Sequence, residues 1–147
     1  MISRIGNHIY AIKADEAIEF YKKAFGLVEK DLPWRDDEDF VIHQDLWTKD
    51  GELFLSVTEY KHLPNNSFVK GFNTETCPAM LFFVFFSNES ELLKTFGILS
   101  EETKFVREIE LEGADIVCEL VDKFGVFWHL RVPTDENRVT SHFHTTL

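Results

Sequence analysis

The chain has 147 residues, 44% of them apolar, with 15 phenylalanines and a formal net charge of −11. That length and aromatic content suit one packed domain, able to bury a core without disulfides or structural metal, and they exclude disorder. The charge excludes nucleic acid and anionic membrane surfaces as partners, and the longest apolar run, AMLFFVFF at 79–86, is far short of the roughly 18 residues of a membrane helix.

The opening MISRIGNHIY lacks the apolar stretch of a secretory signal, so a cytoplasmic location is expected. NHIYAIK (7–13) reads as a short strand running into ADEAIEFYKKAFG. There Asp15 is the expected N-cap, Ala17, Ile18, Phe20, Tyr21, Ala24 and Phe25 recur at helical spacing, and Gly26 closes the helix. A short strand near 27–31 precedes the turn-rich DLPWRDDED, and FVIHQDLW (40–47) and ELFLSVT (52–58) flank TKDG as a hairpin. Residues 59–77, with Pro, Gly and several Asn, read as a linker or a flap. AMLFFVFF, apolar on both faces, predicts a central, covered strand. Asn88 and Glu91 have capping-box spacing ahead of ESELLKTFGIL, KFVREIEL (104–111) is expected as a strand, and ADIVCELV and GVFWHLRV are strands joined by DKFG. Cys77 and Cys118, without CxxC spacing, read as reduced thiols.

The two halves can be superposed. LWTKDGELFLSV (46–57) and LVDKFGVFWHLRV (120–132) share Leu, Lys and Gly in register, with Gly51 and Gly125 at the same point of the turn. This spacing predicts an internal duplication of a βαβββ unit, each helix covering one face of its own sheet.

Paired βαβββ units are the architecture of the glyoxalase, bleomycin-resistance and extradiol-dioxygenase (vicinal oxygen chelate) superfamily. AIEFYKKAFG (17–26) resembles the first helix of its PhnB-like branch, VIHQDL (41–46) the histidine-bearing hairpin strand, and DKFGVFW (122–128) the D-x-F-G-x-x-W turn. The resemblance implies an α+β fold in which two modules form a curved sheet around a cup. Residues 1–147 then make one glyoxalase-like domain: module one about 6–58, linker 59–77, module two about 78–133, and a tail 134–147 outside the resemblance. It also implies homodimers, with modules exchanged between chains in some members, and a small-molecule ligand. Branch members have been labelled methyltransferases, but no glycine-rich loop suited to S-adenosylmethionine is present.

Superfamily members frequently hold a divalent metal with four side chains, from the first and last strands of each module. Carried over by position, these are Asn7 or His8, Leu55, Leu81 or Phe82, and His129. Only His8 and His129 are then metal-competent, below the three good donors a divalent site needs. The expectation is no four-ligand site, with a divalent metal left open through His43 or Asp45. His142 and His144 in the tail read as a mobile or dimer-exchanged segment rather than a metal pair.

Strand alternation sets which side chains share a face. Phe127, His129 and Arg131 oppose Val126, Trp128, Leu130 and Val132; Val41, His43, Asp45 and Trp47 oppose Phe40, Ile42, Gln44 and Leu46; His8, Tyr10 and Ile12 oppose Ile9 and Ala11. The apolar sets belong under the helices. The candidate catalytic residues are therefore His43, Asp45 and His129, and the candidate substrate contacts His8, Tyr10, Trp47, Phe127 and Arg131. Asp45 beside His43 can fix one imidazole tautomer, and Arg131 can receive an anion or pair with one of the many carboxylates. Two functions stay open: a lyase or isomerase using histidine acid–base chemistry on a small polar metabolite, or a non-catalytic protein sequestering a drug-like aromatic compound.

Overall fold

The computed structural model describes residues 1–63 and 80–134. The chain divides into two compact units, Met1–Cys77 and Pro78–Leu147, each built on the same plan. Unit 1 comprises β1 (His8–Ala11), α1 (Ala14–Phe25), β2 (Trp34–Arg35), β3 (Val41–Trp47), β4 (Leu53–Glu59) and a 3₁₀ turn at Tyr60–His62. Unit 2 comprises β5 (Phe82–Phe85), α2 (Glu89–Leu99), β6 (Phe105–Glu112), β7 (Asp115–Val121) and β8 (Phe127–Val132). The sheets have the orders β1-β4-β3-β2 and β5-β8-β7-β6, the first strand parallel to the last and the others antiparallel. The fold is α+β, two four-stranded mixed sheets each covered on one face by a helix.

In unit 1 the covered face is made by Ile9, Ala11, Leu46, Leu55 and Val57, which meet Ala17, Ile18, Tyr21 and Ala24 of α1, all buried. In unit 2 Cys118, Leu120, Trp128 and Leu130 lie under Leu92 and Leu99 of α2. Burying each such large apolar side chain contributes about 1.5–3 kcal/mol. Burial also pushes the Cys118 thiol up to about 12, so this cysteine behaves as a small apolar group. Cys77 lies outside the described residues, as do His142, His144 and most of the 59–77 segment.

Several local expectations are corrected. Asp15 is not the N-cap of α1. Lys13 holds that position in the left-handed region (φ 62°), without a side-chain cap. Both oxygens of the buried Glu59, at the end of β4, instead accept from the Lys13 and Ala14 amides, at 3.0 and 2.6 Å. A carboxylate from a neighbouring strand thus answers the partial positive charge of the helix start, and Asp15 pairs with Arg35. The third strand of unit 1 lies at Trp34–Arg35, later than 27–31, where Val28 makes a single bridge to Trp47. Finally, β5 is the edge of its sheet rather than a central strand, and Phe83 is half exposed. Apolar side chains on both faces of a run do not require neighbours on both edges. Asn88 does cap α2, accepting from the Glu91 amide at 3.0 Å, and Gly26 closes α1 at φ 66°.

The two long hairpins share one turn. Gly51 and Gly125, at φ 91° and 86°, donate to Thr48 and Asp122 carbonyls three residues back, both at 2.9 Å. Thr48 and Asp122 in turn donate to Glu52 and Val126 carbonyls, at 2.8 and 2.9 Å. Each leading side chain caps its own turn: Thr48 Oγ1 accepts from Glu52 N, and Asp122 Oδ1 from Phe124 N and Val126 N. Asp122 Oδ2 also accepts the Trp128 indole N–H at 2.8 Å. The D-x-F-G-x-x-W pattern therefore has a physical basis, one buried carboxylate answering two turn amides and the buried indole. Replacing it removes the acceptor that these three donors share. Asp122→Ala is expected to lose about 2–4 kcal/mol of stability, measured by denaturant unfolding against wild type.

Candidate functional site

In each unit the face away from the helix carries a cross-strand row of polar side chains. In unit 2, β8 and β7 pair without a shift about the Asp122–Gly125 turn, setting His129 opposite Glu119, and β5 sets Phe83 beside His129. The His129 ring stacks on Phe83 with centroids 4.1 Å apart, and its Nδ1 lies 2.8 Å from Glu119 Oε1. The ring is 5% exposed, and its Nε2 is buried without a hydrogen-bond partner. Arg131, two residues on, is buried between Glu112 at 2.8 Å and Asp115 at 3.1 Å. Arg131 draws the Glu112 carboxyl below its ordinary pKa, by hydrogen bond and by charge. Its charge is thus answered within the protein, the salt-bridge alternative for this residue. Arg107, opposite Glu119 on β6, pairs with Glu110 and lies 3.6 Å from Glu119. Phe127 is half-buried and, with Arg107, Glu119 and Val121, lines an open groove of about 370 Å³.

Unit 1 repeats the row with one difference. Opposite β3, strand β4 carries one extra residue, because Leu46 pairs with Leu55 while Trp47 pairs with Leu53. This bulge at Phe54 slips every later residue of β4 to the other face relative to the turn. Ser56, not Leu55, is therefore the counterpart of His129. It pairs with Asp45 and His8 as His129 pairs with Glu119 and Phe83. On β5 the open position is Phe83, neither Leu81 nor Phe82, and on β1 it is His8; Asn7 precedes the strand and donates to the Phe54 carbonyl. The expected first- and last-strand quartet thus becomes His8, Ser56, Phe83 and His129: two imidazoles, a hydroxyl and a phenyl ring.

The unit 1 histidines are tied into this row. His43 Nε2 is 2.8 Å from Asp45 Oδ1, which also accepts the Ser56 hydroxyl at 2.5 Å. His8 Nε2 is 2.8 Å from Thr58 Oγ1, and the Thr58 hydroxyl donates to the Ile42 carbonyl at 2.8 Å. The His8 ring lies 5.0 Å from Tyr10 and 5.7 Å from His43. Five of the eight residues selected from sequence, His8, Tyr10, His43, Asp45 and Trp47, thus lie in unit 1. Four cluster, but the Trp47 ring is covered by Lys30, whose Nζ is 3.8 Å from its centroid. The other three, Phe127, His129 and Arg131, share the unit 2 face. Sequence reasoning missed Glu119, Phe83, Ser56 and Thr58. Counting outward equally from Phe124 pairs Glu119 with His129; nothing in the sequence marks the Phe54 bulge that selects Ser56.

These contacts set the histidine tautomers. The one hydrogen of Thr58 goes to Ile42, so His8 must donate through Nε2; carboxylates only accept, so His43 donates through Nε2 and His129 through Nδ1. In its neutral form each imidazole is left with one lone pair, at His8 Nδ1, His43 Nδ1 and His129 Nε2. Burial, and then the neighbouring His43, hold the His8 pKa below the ordinary 6.5, against a smaller opposing pull from Asp45. Among the described residues no three His, Cys, Asp or Glu side chains gather as a metal cluster. Phe83 fills the place beside His129 where a fourth-row donor would stand, and a serine hydroxyl is a weak divalent ligand. The quartet does not fit the superfamily's four-ligand site.

No protein-family model and no curated protein matches the sequence. Solved structures do. A PhnB protein from Bacillus cereus superposes with a TM-score of 0.69 at 24% identity, covering 89% of this chain and 100% of that one. A glyoxylase/bleomycin resistance protein/dioxygenase domain from Frankia sp. EAN1pec gives 0.60 at 9%, covering 90% and 96%. The fosfomycin resistance protein FosX from Listeria monocytogenes, solved with Mn(II) and sulfate, gives 0.59 at 16%, covering 95% and 99%. The fold is that of the vicinal oxygen chelate superfamily. A PhnB protein stands among its structural neighbours, as the helix and turn motifs imply. No helix of the described residues is long and apolar enough to cross a membrane.

Because the folded state resists protonation of His8 more than the unfolded chain does, His8 contributes stability above pH 6.5 that is lost as pH falls below it. Unfolding measured across that window is expected to show a smaller loss in His8→Asn than in wild type.

Proposed function

We propose that this chain is a PhnB-like member of the superfamily that binds a small molecule on the open faces of its sheets. His129 then acts as the acid–base group of a lyase- or isomerase-type reaction. The carrying observation is the state of His129: Nδ1 held by Glu119, ring stacked on Phe83, and Nε2 buried with nothing to accept from. A buried acceptor without a partner costs on the order of 1–3 kcal/mol. A ligand N–H or C–H acid delivered to Nε2 removes that cost and meets a base whose conjugate acid Glu119 stabilises. His43, held by Asp45 in the same manner, is a second acid–base group, with His8 and Tyr10 beside it as ligand contacts. The donor set gives no basis for routing a step through a metal. The reading carries a cytoplasmic homodimer, tested by sedimentation of the purified chain.

One observation favours sequestration instead. Phe83 is half exposed on an edge strand beside Phe85, with ring centroids 5.7 Å apart, a platform for an aromatic compound that needs no chemistry.

A thermal-shift screen of small metabolites tests the proposal, since a ligand of the native state raises its melting point by mass action. Compounds that stabilise wild type are expected to bind His129→Gln about tenfold more weakly, the loss of roughly one buried hydrogen bond. The unliganded variant should melt within a few degrees of wild type. Turnover that survives in His129→Gln and in His43→Ala would remove the catalytic role and leave sequestration.

A further inference from the structure

The open faces hold charge and hydrogen-bonding groups of a particular sense. In their neutral form the three imidazoles, His8, His43 and His129, spend their N–H on Thr58, Asp45 and Glu119 and keep one lone pair each, that of His129 buried without a partner. The charges of the guanidinium groups beside His129 are answered by carboxylates, Arg131 by Glu112 and Asp115 and Arg107 by Glu110 and Glu119, although Arg131 Nε is itself buried without a hydrogen-bond partner. Four carboxylates therefore stand against two guanidinium groups. Lys104, on the rim of the neighbouring groove, leaves the balance negative. On the unit 1 face, His8, Tyr10, His43, Asp45, Ser56 and Thr58 include one carboxylate, with Lys30 farther along, over Trp47. An anion reaching the His129 face meets more carboxylates than cations, whereas a donor of neutral or positive charge meets an acceptor at Nε2.

The second observation is the His129 Nε2 lone pair itself, on a side chain more than nine-tenths buried, which needs a donor. Phe83 covers one face of that imidazole with its own ring half exposed. Such a ring favours an aromatic body or a cation over its face.

From these we infer that the ligand of the His129 face is a small protonated amine carried on an aromatic or apolar body, its N–H donating to Nε2. The inference rests on the small-molecule reading above and names the ligand class of the same site. It differs from the anion that Arg131 suggests when its partners are not considered.

The test uses the full chain and three probes of one shape: 2-phenylethylamine, 2-phenylethanol and 3-phenylpropionate. Each is titrated by calorimetry while the ring nitrogens of His129 are followed by nitrogen-15 NMR. The amine is expected to bind about tenfold tighter than the carboxylate and to move the Nε2 resonance. Its affinity should fall as salt is added. In Glu112→Gln, which unburdens Arg131 at an exposed position, the carboxylate should gain affinity severalfold and the amine lose it. A carboxylate that binds as tightly as the amine overturns the inference, and so does an alcohol that matches it. If no probe perturbs His129 while another compound from the thermal screen does, the amine class is wrong and the binding reading stands. If no compound of that screen loses affinity in His129→Gln, the reading itself is wrong.

Discussion

The chemistry of unit 2 depends on the register of one hairpin. Because β7 and β8 pair evenly about the Asp122–Gly125 turn, His129 faces Glu119 and Arg131 faces Val117. A slip of one residue would carry His129 under α2 and lift Trp128 and Leu130 into solvent. The slip is blocked from both ends: Gly125 supplies the positive φ that the turn needs, and Asp122 ties turn amides and the Trp128 indole to one carboxylate. The residue that makes the turn thus also anchors the largest side chain of the core. The imidazole is placed between two fixed residues, so its orientation follows from the packing of its neighbours.

The same turn in unit 1 has a different outcome. Its hydrogen bonds match, yet the Phe54 bulge moves Ser56 into the place that His129 holds in unit 2. The imidazole of unit 1 stands instead on β1, as His8, and Phe83 of unit 2 takes that slot. The two units share the carboxylate of the middle strand, Asp45 and Glu119, while the imidazole stands on the first strand in unit 1 and on the last in unit 2. Each unit keeps one imidazole in its row held by a neighbour that accepts its hydrogen.

How far this was legible in the sequence follows from what kind of signal each feature leaves. Helical spacing, the turn glycines and strand alternation are local, and they placed the helices, both long hairpins and the faces of His43, His129 and Arg131 correctly. A bulge leaves no local mark. The hydrogen bonds that define it lie on the partner strand, so counting from Gly51 assigned Leu55 to the wrong row. The cap of α1 failed for the same reason. Its acceptor, Glu59, is about 45 residues away in the chain, and Asp15, nearer in sequence, turned to Arg35. Strand β5 failed because composition reports the two faces of a strand and is silent on its edges.

Charge separates Arg131 from the role its residue type suggests. A buried guanidinium is costly unless carboxylates surround it, and Glu112 and Asp115 do so. With its charge so answered, Arg131 keeps one buried N–H, at Nε, without a partner. His129 is the opposite case. Phenylalanine or leucine at its position would pack against Phe83 without leaving a buried nitrogen unsatisfied, and would be expected to stabilise the sheet. A buried side chain with an unanswered nitrogen, oriented by a carboxylate, is the observation on which the proposed role of His129 rests. On β8 the apolar face, Trp128 and Leu130, leaves no polar atom short of a partner, whereas the opposite face leaves two, His129 Nε2 and Arg131 Nε.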